Sequence, residues 1–188
     1  MDICKTISKA ITHALESEEC RLKPRSERPG EPLWPWTVRA YPEAWISYLL
    51  VREFSCRSPD QELKREANVG GMPQVDLSIC GLASVELKGP HRVDRGFGKG
   101  TKLYEEILKD FNNQKLRAEN DPDLEHFVLL ILHALKSDFD SGFVQRWLCQ
   151  LDKNNPGICI RLQPSKLLDL NLGNEPPRQM MCCLYSVG

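Results

Sequence analysis

Residues Gln74 to Pro90, QVDLSICGLASVELKGP, decide how the rest of the chain is read. They form two short apolar/polar alternations around Gly81-Leu82-Ala83. Val75, Leu77 and Ile79 alternate with Gln74, Asp76 and Ser78; beyond the turn, Val85 and Leu87 alternate with Ser84, Glu86 and Lys88. A period of two gives each strand one apolar and one polar face. Gly81 permits the reversal, and Gly89-Pro90 is expected to stop the second strand. With Leu82 at the centre of the turn, Asp76 faces Lys88 and Ser78 faces Glu86, so Asp76, Glu86 and Lys88 share one side. A one-residue slip would bury those charges and expose Val85 and Leu87, so the register is well specified.

In that register Asp76 and Glu86 are diagonal neighbours, roughly 7–8 Å apart at the backbone. Two carboxylates so placed can share a hard divalent cation such as Mg²⁺, which takes oxygen ligands. An ammonium beside them, that of Lys88, can position a water or offset charge on a phosphate. Against this, an E-x-K triplet arises about once by chance in a chain of this length. Alternating charge on a strand is also usually a solvated face.

Working outward, Tyr41 to Phe54 reads as a helix, with Pro42 and Glu43 in its first turn and Ile46, Leu49 and Leu50 as its buried stripe. Glu43, three residues before Ile46 and seven before Leu50, falls on that stripe, as does Glu53. Glu62 to Val69 reads as a strand. After the hairpin, Thr101 is placed to cap a helix running toward Asn120, with Leu103, Ile107, Leu108 and Phe111 as its apolar stripe. His126 to Ala134, HFVLLILHA, is the length and composition of a strand buried on both faces.

Asp76, nine intervening residues and Glu86-Leu87-Lys88, within a helix, three strands, helix, strand order, resemble the PD-(D/E)xK motif of restriction-endonuclease-like nucleases. The resemblance spans residues 41–135; Val75 stands where the motif has proline. It implies an α/β fold with a central mixed sheet flanked by helices, and hydrolysis of phosphodiester bonds, in DNA before RNA, with Mg²⁺ or Mn²⁺. Asp76 and Glu86 would be metal ligands and Lys88 would position or activate the attacking water. Glu43 fits the acidic residue that a helix before the first strand often adds, with Glu53 as second choice. Lys102, Tyr104 and Gln114 are the polar candidates on the following helix. A homodimer would suit double-strand cutting.

The loop GPHRVDRGFGKGTK meets neither phosphate-binding glycine pattern: Gly100 follows Lys99, and Thr101 stands where a third glycine is needed. It does place His91, Arg92, Arg95, Lys99 and Lys102 near the carboxylates, suited to a polyanionic backbone. Residues 21–36 hold four prolines with Arg21, Lys23, Arg25 and Arg28, either a phosphate-touching arm or a solvated connector.

A net charge of −1 argues against a stoichiometric nucleic-acid coat and leaves room for an enzyme with a local basic surface. Eight cysteines without a C-x-x-C argue against a zinc knuckle; most lie in apolar surroundings and read as buried thiols of a reducing cytoplasm. No apolar run approaches the length of a membrane span. One domain is expected: residues 1–40 as an amphipathic helix (2–19) and basic connector, 41–135 as the core, and 136–188 as a helix at Asp138–Leu151 and strands near 157–162 and 180–187 completing it. Residues 163–178 read as irregular. His13, His126 and His133 read as structural or surface histidines. Two rival readings stand beside the nuclease: a nuclease-like fold that binds nucleic acid or protein without cutting, and a metal-dependent hydrolase of another phosphate substrate.

Overall fold

A computed structural model describes residues 3–13, 42–57, 62–67, 74–79, 81–93, 101–155, 159–161, 168–170 and 176–188. Two helices, α1 (residues 3–13) and α2 (Pro42–Arg57), precede three strands, β1 (Leu63–Ala67), β2 (Val75–Ile79) and β3 (Ala83–Arg92). Helix α3 (Lys102–Asn120) leads to β4 (Glu125–Leu135), then α4 (Lys136–Asp140), α5 (Phe143–Asn154), β5 (Cys159–Arg161), β6 (Leu168–Leu170) and β7 (Arg178–Val187).

The strands form one mixed sheet in the order β1-β2-β3-β4-β7. β5 and β6 both pair with β7, at its Tyr185–Val187 and Arg178–Met180 ends. Among the described strands only β3 and β4 run parallel, because α3 carries the chain back across the sheet between them. β4 pairs antiparallel with β7 from His126↔Val187 to Leu135↔Arg178, so the C-terminal segment completes the same sheet.

Helices cover both faces, and this explains the apolar run of β4, whose residues Phe127–Leu132 are wholly buried. On one face, Ile3, Ile7 and Ile11 of α1 and Leu49, Leu50 and Phe54 of α2 pack with Leu77, Val85, Leu87, Phe127 and Leu129. On the other, Tyr104, Ile107 and Phe111 of α3 and Trp147, Leu148 and Leu151 of α5 pack with Val128, Leu130, Cys183 and Tyr185. Phe111 and Tyr185 meet with ring centroids 5.0 Å apart. Each large apolar side chain buried in this way contributes about 1.5–3 kcal/mol.

The structure corrects the sequence reading in four places. The hairpin register, Leu77↔Val85, Ser78↔Ser84 and Ile79↔Ala83, centres on Gly81 rather than Leu82. The Leu82 N–H bonds the Ile79 carbonyl, and Gly81, at φ +70°, takes the position of that turn which needs a positive φ. β3 does not stop at Gly89-Pro90 but runs on to Arg92; its register against β4 shifts between Lys88 and His91, with Gly89 at φ +118° absorbing the irregularity. The helix expected over Asp138–Leu151 is two, α4 and α5, broken where Gly142 turns left-handed at φ +69°. β6 lies in the stretch expected to be irregular.

Among the described residues no helix is long and apolar enough to cross a membrane. Of the described cysteines, Cys182 and Cys183 are buried as expected, whereas Cys4 and Cys149 are half-buried and Cys56 is exposed. The proline-rich connector and loop residues 94–100 lie outside the described residues.

Candidate functional site

The even-numbered residues of β2 and β3 face α3, opposite the side covered by α1 and α2, because Leu77, Val85 and Leu87 occupy the other face. Asp76, Glu86 and Lys88 therefore do share a side. That side is roofed by a helix rather than solvated, and all three are only partly exposed.

Continuing the observed register one step beyond Leu77↔Val85 sets Asp76 directly across from Glu86, not diagonal to it. The Asp76 carboxylate Oδ2 accepts a 2.7 Å hydrogen bond from the Leu87 N–H, so a side chain meets this backbone donor where the strand ladder ends. The bond fixes Asp76 against the residue between Glu86 and Lys88.

Helix α3 adds two charged residues not anticipated from the sequence. Asp110 Oδ2 lies 3.0 Å from Lys88 Nζ, an ion-pair distance outside hydrogen-bond alignment. Arg117 donates from Nη1 to Glu86 Oε2 and from Nη2 to the Gln74 carbonyl, both at 3.3 Å. Arg117 is only 2 % exposed. Between them Gln114, fully buried, accepts from Ser84 Oγ at 3.2 Å and donates to the Phe127 carbonyl at 3.1 Å. Asp110, Gln114 and Arg117 are spaced four and three apart, which stacks them on one helix face. His126 joins this network through Ser84 Oγ at 2.8 Å and the Asp121 carbonyl at 3.0 Å, a structural role.

Three carboxylates, those of Asp76, Glu86 and Asp110, thus act on one another beside two cations, Lys88 and Arg117. Burial pushes Asp76 above its ordinary carboxylate range, and the charge of Asp110 adds to this. The Leu87 N–H, Lys88 and Arg117 oppose it. Glu86 is pushed up to about 7, first by burial and then by the charge of Asp76, with Arg117 and Lys88 opposing. Burial leads both shifts, and the two cations do not reverse them.

The remaining candidates lie elsewhere. Glu43 falls within the span of α2, and its side chain lies outside the described residues. The buried stripe of α2 packs on the opposite sheet face, so sharing that stripe does not direct a residue toward Asp76. Glu53 is engaged on that opposite side by His13 of α1, Nδ1 to Oε2 at 2.6 Å, and by Arg52 at 3.5 Å. Of the polar residues considered on α3, Tyr104 accepts from Asn154 Nδ2 at 2.8 Å and Lys102 is exposed, 3.8 Å from Glu106; only Gln114 adjoins the site. Among the described residues no group of three or more His, Cys, Asp or Glu side chains is gathered closely enough to hold a metal ion.

Asp76 and Glu86 still offer hard oxygen donors, the type Mg²⁺ or Mn²⁺ requires. The bonds described above engage Oδ2 of Asp76 and Oε2 of Glu86, one oxygen on each. Searches of protein-family models, of curated proteins and of solved structures each gave no match to this chain.

Proposed function

We propose that the protein is a metal-dependent nuclease with a restriction-endonuclease-like core, hydrolysing phosphodiester bonds in DNA before RNA. The observation that carries this reading is the meeting of Asp76 and Glu86 under α3, with Glu86 pushed up to about 7. Two desolvated carboxylates, one of which is raised further by the charge of the other, favour a replacement cation. The order α2-β1-β2-β3-α3-β4 supports the same reading, since it follows the element order of that nuclease core.

Asp76 and Glu86 would hold the cation, with Glu43 as the assisting acidic residue. A hard divalent cation there would supply Lewis-acid stabilisation of charge on the phosphate. Lys88, steered by Asp110, presents its ammonium on the same side as both carboxylates, where it would orient the attacking water and offset phosphate charge.

A second reading, a nuclease-like fold that binds without cutting, draws on the two ion pairs Lys88–Asp110 and Glu86–Arg117. Paired charges of this kind also occur as purely structural groups.

Cleavage of plasmid and single-stranded DNA with Mg²⁺ or Mn²⁺ tests the choice, comparing wild type with Asp76→Ala and Lys88→Ala. The nuclease reading expects metal-dependent cutting that falls at least about a hundredfold in each folded variant. Equal cutting by all three proteins would place the activity elsewhere. Absence of both cutting and Asp76-dependent divalent binding would favour the binding module.

A further inference from the structure

We propose that Arg117 is a resident cation that competes with the divalent metal for Glu86, and so sets the metal concentration at which the site fills. The inference rests on the nuclease reading for its metal and goes beyond it in assigning this role to a residue on α3.

Arg117 is held in a way that makes withdrawal to solvent difficult. It is almost completely buried, its Nη2 bonds the Gln74 carbonyl, and its Nη1 reaches Glu86 Oε2. One turn before it, Gln114 ties α3 to β3 and β4 through Ser84 and the Phe127 carbonyl. The guanidinium is therefore placed by the rigid fold beside the carboxylate that a metal would need. Its planar fork suits two acceptors at once, Glu86 on β3 and the Gln74 carbonyl just before β2, which a single ammonium spans less well.

The charge balance explains why the competition can be won. Asp76, Glu86 and Asp110 bring three negative charges when ionised, and Lys88 and Arg117 bring two positive ones. A divalent cation more than cancels that deficit of one charge. It must still approach a fixed positive charge at Glu86, and in a partly desolvated site that repulsion is weakly screened. Arg117 therefore weakens metal binding while keeping Glu86 partnered until the metal arrives. A purely structural arginine would do the opposite: its loss would loosen the site and weaken metal binding.

The test is Mn²⁺ binding to the full chain, by calorimetry or electron paramagnetic resonance, for wild type, Arg117→Gln and Arg117→Lys. Arg117→Gln is expected to bind Mn²⁺ at least about fivefold more tightly, and Arg117→Lys, which keeps the charge, within about twofold of wild type. A folded Arg117→Gln protein with unchanged or weaker binding overturns the inference. A second measurement needs no variant: saturating Mg²⁺ should shift the Arg117 guanidinium N–H resonances of wild type. Unmoved resonances overturn the inference even where Arg117→Gln does not fold. Wild type that binds Mn²⁺ through Asp76 with Arg117 indifferent removes this inference alone. Wild type that binds no divalent cation removes both it and the nuclease reading.

Discussion

The Asp76 carboxylate accepts a 2.7 Å hydrogen bond from the backbone N–H of Leu87, the residue between Glu86 and Lys88. One bond therefore sets the registry of all three motif residues across the end of the β2–β3 ladder. It also separates two roles of Asp76, as a hydrogen-bond acceptor and as a charge. Asp76→Asn keeps an acceptor and removes the charge that raises Glu86, so at pH 8 it should be at least as stable as wild type. Asp76→Ala leaves the Leu87 N–H without its acceptor and should be about 1–3 kcal/mol less stable than Asp76→Asn. Urea unfolding of the two variants checks the difference; equal stabilities would mean that the bond contributes nothing.

Glu86 carries a pH dependence with a definite sign. Its acidity moves from 4.5 to about 7 on folding, so the native state binds the proton more tightly than the unfolded chain. The associated stability is fully present below about pH 4.5 and is lost as pH rises through about 7, a change on the order of 3 kcal/mol. Wild type should therefore lose stability between pH 5 and 8 with no metal present. Glu86→Gln, which stays neutral, should flatten that slope and be the more stable protein at pH 8. Thermal unfolding at both pH values in a chelating buffer reads this directly.

Metal and proton compete for the same carboxylates, so Mg²⁺ binding near pH 6.5 should release protons. Calorimetry in two buffers of different ionisation enthalpy measures the number released. A value of zero at pH 6.5 would show that Glu86 is not a ligand, or is already ionised.

Asp110 steers Lys88 without itself belonging to the E-x-K motif. Asp110→Asn removes the 3.0 Å ion pair that draws the Lys88 ammonium toward α3. The cleavage rate should fall about 10–100-fold, the usual effect of losing a group that orients a catalytic residue. Lys109→Ala, an exposed change on the same helix, should leave the rate unaltered.

Gln114 is fully buried and bridges β3 and β4 through both ends of its amide. Gln114→Ala opens a cavity, takes one of two partners from the Ser84 hydroxyl, which keeps His126, and removes the amide donor to the Phe127 carbonyl. A loss of about 2–4 kcal/mol is expected. Denaturant titration measures it, and a loss below about 1 kcal/mol would mean that water replaces the amide.

Much of the architecture was legible because period and punctuation agree over the core. The Thr101 cap, the buried run of β4 and the alternation across the hairpin each carry a local physical signature, and each stands where it was expected. The face shared by Asp76, Glu86 and Lys88 was also legible, since strand parity fixes it. What covers that face was not: nothing in a strand says which helix will roof it. Asp110 and Arg117 left a faint signal, as polar residues three and ten positions after Ile107, with Gln114 between them at seven on the same helix face. They were passed over because apolar spacing alone defined the stripe. The side on which α2 packs is a tertiary choice, so no local signal in α2 says that Glu53 meets His13 rather than Asp76.

The topology also sets an order of assembly. Asp76 reaches Leu87 across 11 residues, whereas Arg117 reaches Glu86 across 31 and His126 reaches Ser84 across 42. Short-range contacts close first, and pairing of parallel strands waits for the crossover between them. The chain therefore brings its two mutually repelling carboxylates together in an early hairpin, before α3 delivers the guanidinium. The raised value of about 7 belongs to the folded, buried site, so refolding should be quicker near pH 4, where Glu86 of the unfolded chain begins to carry a proton, than at pH 8. Stopped-flow refolding across that range would show whether electrostatic repulsion within one hairpin sets the pace for the whole domain.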